Sequence, residues 1–388
     1  MENVWLTSAV WFGLALLASV ISIRVAISVA LVEIMVGAVA GNVIGLQLTE
    51  WVNFLAGFGA IMITFLAGAE IDPRVLRRHL RPSVGIGVAS FFAPYLGCVL
   101  FARYGLEWSW PQAQIAGISM STTSVAVVYA VMIETGFNKT EMGKIILAAC
   151  FVTDLGTVLA LGIVFAHFDI RLAFFGGATA VALALLPRLA PWFFTRIGHH
   201  VSEPETKFVA LILLALGGLA TIAGSEAVLP AYLVGMALAP VFLANPELPH
   251  RMRIVAFTIL TPFYFLKAGS LVDFHAVVAS AGLILMFLGI KMVTKFLGIL
   301  PLTKAFAFNG KEGMYTTLLM STGLTFGTIS ALFGLTNQII DERQYAILVT
   351  AVIGSAVVPT LIAQRWFEPA LKPIDHDGSG VMISAKED

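Results

Sequence analysis

Apolar runs of about twenty residues, separated by short polar breaks, fill almost the whole chain. A bilayer core about 30 Å thick is crossed by roughly 20 apolar helical residues. The pattern therefore predicts an all-α polytopic membrane protein with about thirteen transmembrane helices. They are expected near residues 5–23, 26–46, 53–71, 83–102, 112–135, 143–167, 172–195, 207–223, 226–244, 254–271, 275–300, 313–335 and 344–364. Residues 1–366 are read as one transmembrane domain, and 367–388 as a short, polar cytoplasmic tail. The acidic start and long apolar run of "MENVWLTSAVWFGLALLASVISIR", with no small-residue cleavage site, mark a retained helix and not a signal peptide.

Alternating these spans from an external N-terminus gathers the basic residues on one side. The inner loops take Arg24, the cluster "RVLRRHLRP", Lys139, Lys144, Arg196, Lys207, Arg251, Arg253, Lys304, Lys311 and Arg365, while the outer loops take Arg103, Arg171 and Arg343. Such asymmetry places the C-terminus in the cytoplasm and favours an odd number of spans. Two segments 200 residues apart are alike: "MSTTSV" at 120–125 and "MSTGLT" at 320–325, with Glu141 and Asp341 at matching distances beyond. An odd helix between them makes the two six-helix halves opposite in orientation, an inverted repeat. In proteins of that kind the repeated polar segments are broken helices near the midplane, with an ion site beside them. Thr122, Thr123 and Ser124 in the first segment, and Ser321, Thr322, Gly323 and Thr325 in the second, are the expected crossing. Hydroxyls and glycine there relax the backbone and offer oxygen where carbonyls lose their partners.

Composition sharpens this picture. Hydrophobic residues make up 59% of the 388 and charged ones 12%, about half the share of a soluble domain. The zero net charge gives no reason to expect nucleic acid. No phosphate loop, HExxH or Cys/His cluster suggests an enzyme. Cys98 and Cys150 lie in apolar runs and read as packing residues.

Against that background the run "LAACFVTDLGTVLALGIV" holds Asp154 at its centre. An ionised carboxylate there costs several kcal/mol unless its charge is used. A carboxyl balanced between desolvation and a nearby cation can hold either a proton or a metal ion. Lys291 and Lys295, one turn apart on the 275–300 helix, are the candidate charge partners, Lys295 above all. Thr153, Thr122, Thr123 and Ser124 are candidate oxygen donors. One carboxylate with hydroxyls suits Na⁺ or K⁺ better than a divalent ion, which wants more negative charge. Lys267 is expected to snorkel or pair with Asp273. Glu33 is expected to hydrogen-bond in the bundle, and Glu70 and Asp72, beside the arginines, to be salt-bridged or funnel-lining groups. His79, His199, His200 and His250 read as solvated loop residues.

Several stretches together resemble the monovalent cation:proton antiporter-2 family, which includes NapA-like Na⁺/H⁺ and Kef-like K⁺/H⁺ antiporters. They are "ALVEIMVGAVAGNVIG", "GFGAIMITFLAGAEID", "STTSVAVVYAVMIETG", "GKIILAACFVTDLGTVLAL", "AYLVGMALA" and "TPFYFLKAG", in family order across residues 5–365. The resemblance implies a thirteen-helix fold. A core near 83–167 and 275–364 would carry the ion, and a dimerisation scaffold near 5–71 and 172–271 would stay put. It implies elevator-type alternating access, a homodimer, and a bacterial inner membrane. Asp154 matches the family's retained aspartate and Lys295, in "KFLG", its lysine. Thr153 stands where the family often carries an acidic residue, Asn or Gln before the aspartate, and the missing first carboxylate favours electroneutral exchange. No cofactor is implied beyond the transported protons and Na⁺ or K⁺. Kef-like members add a cytoplasmic nucleotide-binding domain, so a missing C-terminal domain or a separate regulatory subunit is an open expectation. A sodium-coupled organic-anion symporter of related fold and an ion channel are the rival readings, and the sequence holds no TVGYG-like filter.

Overall fold

A computed structural model describes residues 3–25, 27–69, 78–165, 170–198, 200–225 and 227–370. Glu70, Asp72, His199, part of the basic cluster and most of the tail lie outside the described residues. Every regular element among the described residues is a helix. In order the helices are α1 (Val4–Val25), α2 (Val29–Val43), α3 (Glu50–Ala69), α4 (Leu80–Leu100), α5 (Trp110–Ser121), α6 (Val125–Thr135), α7 (Glu141–Phe165) and α8 (Ile170–Ile197). There follow α9 (Pro204–Ile222), α10 (Val228–Ala244), α11 (Glu247–Val255), α12 (Thr261–Ser270), α13 (Phe274–Ala305), α14 (Gly310–Leu319), α15 (Thr325–Thr336) and α16 (Glu342–Trp366). Among the described residues ten helical segments are long and apolar enough to cross a membrane, and three shorter apolar helices lie among them.

Local chemistry explains the boundaries. Ser109 and Gln112 cap α5 reciprocally, and Asn309 and Glu312 cap α14 in the same way. Each pair satisfies backbone donors that a helix start otherwise leaves open. Asp341 and Gln344 repeat the device at α16, and the Thr140 hydroxyl accepts from Gly143 N at the start of α7. Gly136, at φ +77°, ends α6 in the left-handed conformation that glycine adopts without steric cost. The apolar pattern did not reveal two π-helical turns, Phe101–Gly105 after α4 and Ala256–Leu260 before α12. Pro262 accounts for the second, since it lacks an N–H and its ring crowds the preceding turn. Nor did it reveal the break at Ser280 (φ −125°, ψ 17°) within α13.

Packing sorts the helices by neighbour. α4 lies against α5, α7 and α13, and α16 against α13, α14 and α15. α3 lies along α10, α2 along α12, and α8 against α9 and α10. The α2–α12 and α3–α10 pairs approach so closely that side chains are excluded. A Cβ on Gly37 would collide with Leu266 O and one on Gly269 with Ile34 O. One on Gly235 would collide with Phe65 O and one on Gly68 with Tyr232 O. Small residues that let helix backbones touch are the usual means of tight packing where lipid supplies no hydrophobic drive.

Candidate functional site

Two helices are interrupted at the centre of the molecule. Residues 122–124 are non-helical between α5 and α6, and residues 320–324 between α14 and α15. Ser119 to Thr123 and Met320 to Leu324 are all buried. The interruptions lie against each other. The Thr123 hydroxyl donates to Met320 O at 2.8 Å, and Ser124 N donates to the Thr322 hydroxyl at 3.4 Å. Freed carbonyls are met locally: Thr122 Oγ1 donates to Ser119 O (3.2 Å), Thr322 Oγ1 to Leu319 O (2.8 Å) and Ser321 Oγ to Thr317 O (2.7 Å). The Ser124 hydroxyl caps α6 by accepting from Val127 N. Hydroxyls thus replace the hydrogen bonds that a buried helix break would otherwise forfeit.

Asp154 lies on α7 and is 4% exposed. Its Oδ1 is buried without a hydrogen-bond partner among the described residues. One turn earlier on the same helix, Cys150 Sγ lies 3.6 Å from Met320 Sδ, so this part of α7 faces the second break. Thr153 is fully buried, and its hydroxyl donates to Ala149 O at 3.0 Å and Gly87 O at 3.2 Å, tying α7 to α4.

α13 contributes two fully buried lysines to different places. Lys295 Nζ donates to Ser90 Oγ at 2.6 Å and to Thr123 Oγ1 at 2.9 Å, at the first break. Lys291 Nζ donates to Ser355 Oγ at 2.8 Å and abuts Gly323 at the second break. The two Nζ atoms thus bind different hydroxyls. Among the described residues neither forms an ion pair within 4.0 Å.

A cavity of about 1030 Å³ opens between α3, α9, α10 and α12 on one side and α15 on the other. Tyr264, Lys267, Thr325 and Thr328 are among its lining residues. Tyr264 on α12 and Thr325 on α15 share a 2.5 Å hydroxyl hydrogen bond across it. Of the candidates read from sequence, Thr123, Ser124, Thr322 and Lys295 meet directly, Gly323 and Lys291 meet beside them, and Thr325 faces the cavity. Ser90, Ser355 and Tyr264 were not foreseen. For Ser90 a faint signal exists, since Ser83, Gly87, Ser90 and Pro94 form a buried small-residue stripe along α4.

A bundle of membrane-spanning helices with two abutting breaks, and a buried carboxylate beside them, defines a multi-pass membrane protein. Residues 12–368 match the family described as "Sodium/hydrogen exchanger, transmembrane", and the chain belongs to that family. It is similar to the probable Na(+)/H(+) antiporter 3 of Methanocaldococcus jannaschii, 24% identical over 348 residues, covering 84% of this chain and 88% of the relative. It is also similar to the Na(+)/H(+)-K(+) antiporter GerN of Bacillus cereus, 21% identical over 361 residues, covering 89% of this chain and 92% of the relative. The fold is that of the sodium proton antiporter MjNhaP1 from Methanocaldococcus jannaschii at pH 8, with a TM-score of 0.69 at 15% identity, covering 94% of this chain and 98% of that one.

Proposed function

We propose that the protein is a secondary antiporter that exchanges protons for Na⁺ or K⁺ on Asp154. The observation that carries this is the buried Asp154 Oδ1, which accepts no hydrogen bond among the described residues. An unpartnered carboxylate oxygen inside a membrane protein is costly unless a proton or cation occupies it. The family, and relatives named as Na⁺/H⁺ and Na⁺/H⁺-K⁺ antiporters, support the same reading.

In this mechanism Asp154 binds one or the other. Thr153, Thr123, Ser124 and Thr122 surround the ion with oxygen or shape its place, and Lys295 holds the unloaded carboxylate electrostatically. Replacing the Asp154 proton by one monovalent cation leaves the charge of the site unchanged, so exchange is electroneutral. A membrane potential, worth roughly 2.3 kcal/mol per charge per 100 mV, then leaves its equilibrium alone.

Two bodies move against each other. The core is α4 to α7 with α13 to α16, and the scaffold is α1 to α3 with α8 to α12. This division is supported by the neighbours described above and by the cavity at their boundary. The core slides in an elevator-type step, and Asp154 faces each side in turn.

Thirteen crossings in two inverted halves around α8 fit the element boundaries, which repeat with an offset close to 200 residues. α2 begins at Val29 and α10 at Val228, α5 at Trp110 and α14 at Gly310, and α6 and α15 at Val125 and Thr325. The glycine contacts repeat too, since Gly37 and Gly269 on α2–α12 are mirrored by Gly235 and Gly68 on α10–α3. The protein works as a homodimer in a bacterial inner membrane, its N-terminus outside and C-terminus in the cytoplasm.

The test is transport in proteoliposomes carrying a pH dye, with Na⁺, K⁺ and Li⁺ added in turn. Wild type is expected to move protons on addition of Na⁺ or K⁺, and Asp154→Asn to abolish the signal. Undiminished proton movement in Asp154→Asn would overturn the assignment.

A further inference from the structure

The antiport reading uses one carboxylate and one ammonium, which leaves Lys291 without a task. Its side chain is fully buried and its Nζ donates to Ser355 Oγ at 2.8 Å. Ser355 Oγ in turn donates to Val352 O at 2.6 Å, so it presents a lone pair, and not its proton, to the ammonium. The group sits on Gly323. A Cβ built there would overlap Lys291 Nζ and lie 3.0 Å from Ser355 Oγ and 3.1 Å from Thr122 Oγ1. The ammonium and two hydroxyl oxygens from three other elements therefore converge where the second helix is broken.

An ammonium and an alkali-metal ion are alike in what they ask of such a place: a single positive charge and oxygen lone pairs. We infer that Lys291 is a tethered cation seated at the second helix break, and that its ammonium fills an oxygen-lined place which would otherwise admit a monovalent metal ion. The covalent tether keeps this charge in position through the transport cycle and prevents the break from becoming a second metal site. The exchanged ion is thereby confined to Asp154. Lys295, one turn along α13, differs in that its two hydroxyl partners, Ser90 and Thr123, are also hydrogen-bonded to each other at 3.1 Å.

The inference does not depend on Asp154 being the transport site, and a double variant separates the two. Purified Lys291→Ala and Lys291→Ala/Asp154→Asn are melted in choline chloride, KCl, NaCl and NH₄Cl at constant ionic strength. Lys291→Ala is expected to melt several degrees below wild type in choline chloride. NH₄⁺ or K⁺ should restore the loss with a saturable dependence, in the double variant as well as the single one. Asp154→Asn alone should lack that rescue. A Lys291→Ala protein as stable as wild type in choline chloride would overturn the proposal. So would a double variant that no small cation stabilises beyond choline. Where Lys291→Ala yields no folded protein, Lys291→Met serves, because its thioether fills the space without a charge. It is expected to melt below wild type in every salt, with no cation-specific recovery, and wild-type stability would refute the tethered-cation role.

Discussion

Hydroxyl groups decide more at the single-residue scale than their polarity suggests. Ser90 and Thr153 each bind a partner across helices, but the partners differ. Ser90 receives a bond from an ammonium, and Thr153 gives one to neutral carbonyls. Hydrogen bonds to charged groups contribute about 1.5–3 kcal/mol and neutral ones about 0.5–1.5 kcal/mol. Ser90→Ala is therefore expected to destabilise more than Thr153→Val, a ranking that paired denaturation curves in one detergent would check. Equal losses would mean that the ammonium does not depend on Ser90. Asp154 was legible in the sequence because a charge inside an apolar run is rare, and Thr122 to Ser124 because the segment recurs at 320–325. Ser90, Ser355 and Tyr264 were not. A lone hydroxyl or phenol in an apolar helix resembles ordinary packing until its distant partner, 205 residues away for Ser90 and Lys295, is in place.

Individual helices show how breaks and close approaches are encoded. At Gly323 the missing side chain leaves room for Lys291 Nζ, which donates to Ser355 and would have to move for a Cβ to fit. Gly289, on α13, has nothing within 4 Å of a built Cβ. Gly323→Ala is expected to cost about 1–3 kcal/mol through overpacking. Gly289→Ala is expected to be neutral or to gain up to about 1 kcal/mol from helix propensity. Melting temperatures of the two variants test this, and a tolerated Gly323→Ala would contradict the packing at the second break. Apolar run lengths pointed to an all-helical membrane protein, and among the described residues ten helices are long and apolar enough to cross a membrane. The run lengths were silent on the π turns at 101–105 and 256–260 and on the Ser280 break, which alter hydrogen-bond spacing without altering hydropathy.

Over the whole molecule, the elevator reading requires α12 and α15 to separate during the cycle. Their hydroxyl bridge, Tyr264 to Thr325, spans the boundary between the proposed scaffold and core. Cysteines at both positions, in a background with Cys98 and Cys150 replaced by alanine, are expected to stop transport when bridged by a bis-methanethiosulfonate reagent long enough to replace the tyrosine ring, and to release it on reduction. Continued turnover with the cross-link closed would rule out sliding at that boundary. The proposed inverted halves have only a short trace in the sequence. One six-residue resemblance pointed to the proposed repeat, whereas the glycine contacts of α2–α12 and α3–α10 join residues far apart in sequence and need the folded chain to be seen.

The shared occupancy of Asp154 is tested most directly by counting protons as a cation binds. In weakly buffered solution below the pH at which Asp154 ionises, adding Na⁺ or K⁺ to purified wild type should release about one proton per ion bound, with apparent affinity falling as pH falls. Cation binding with no proton release, or release that persists in Asp154→Asn, would contradict it.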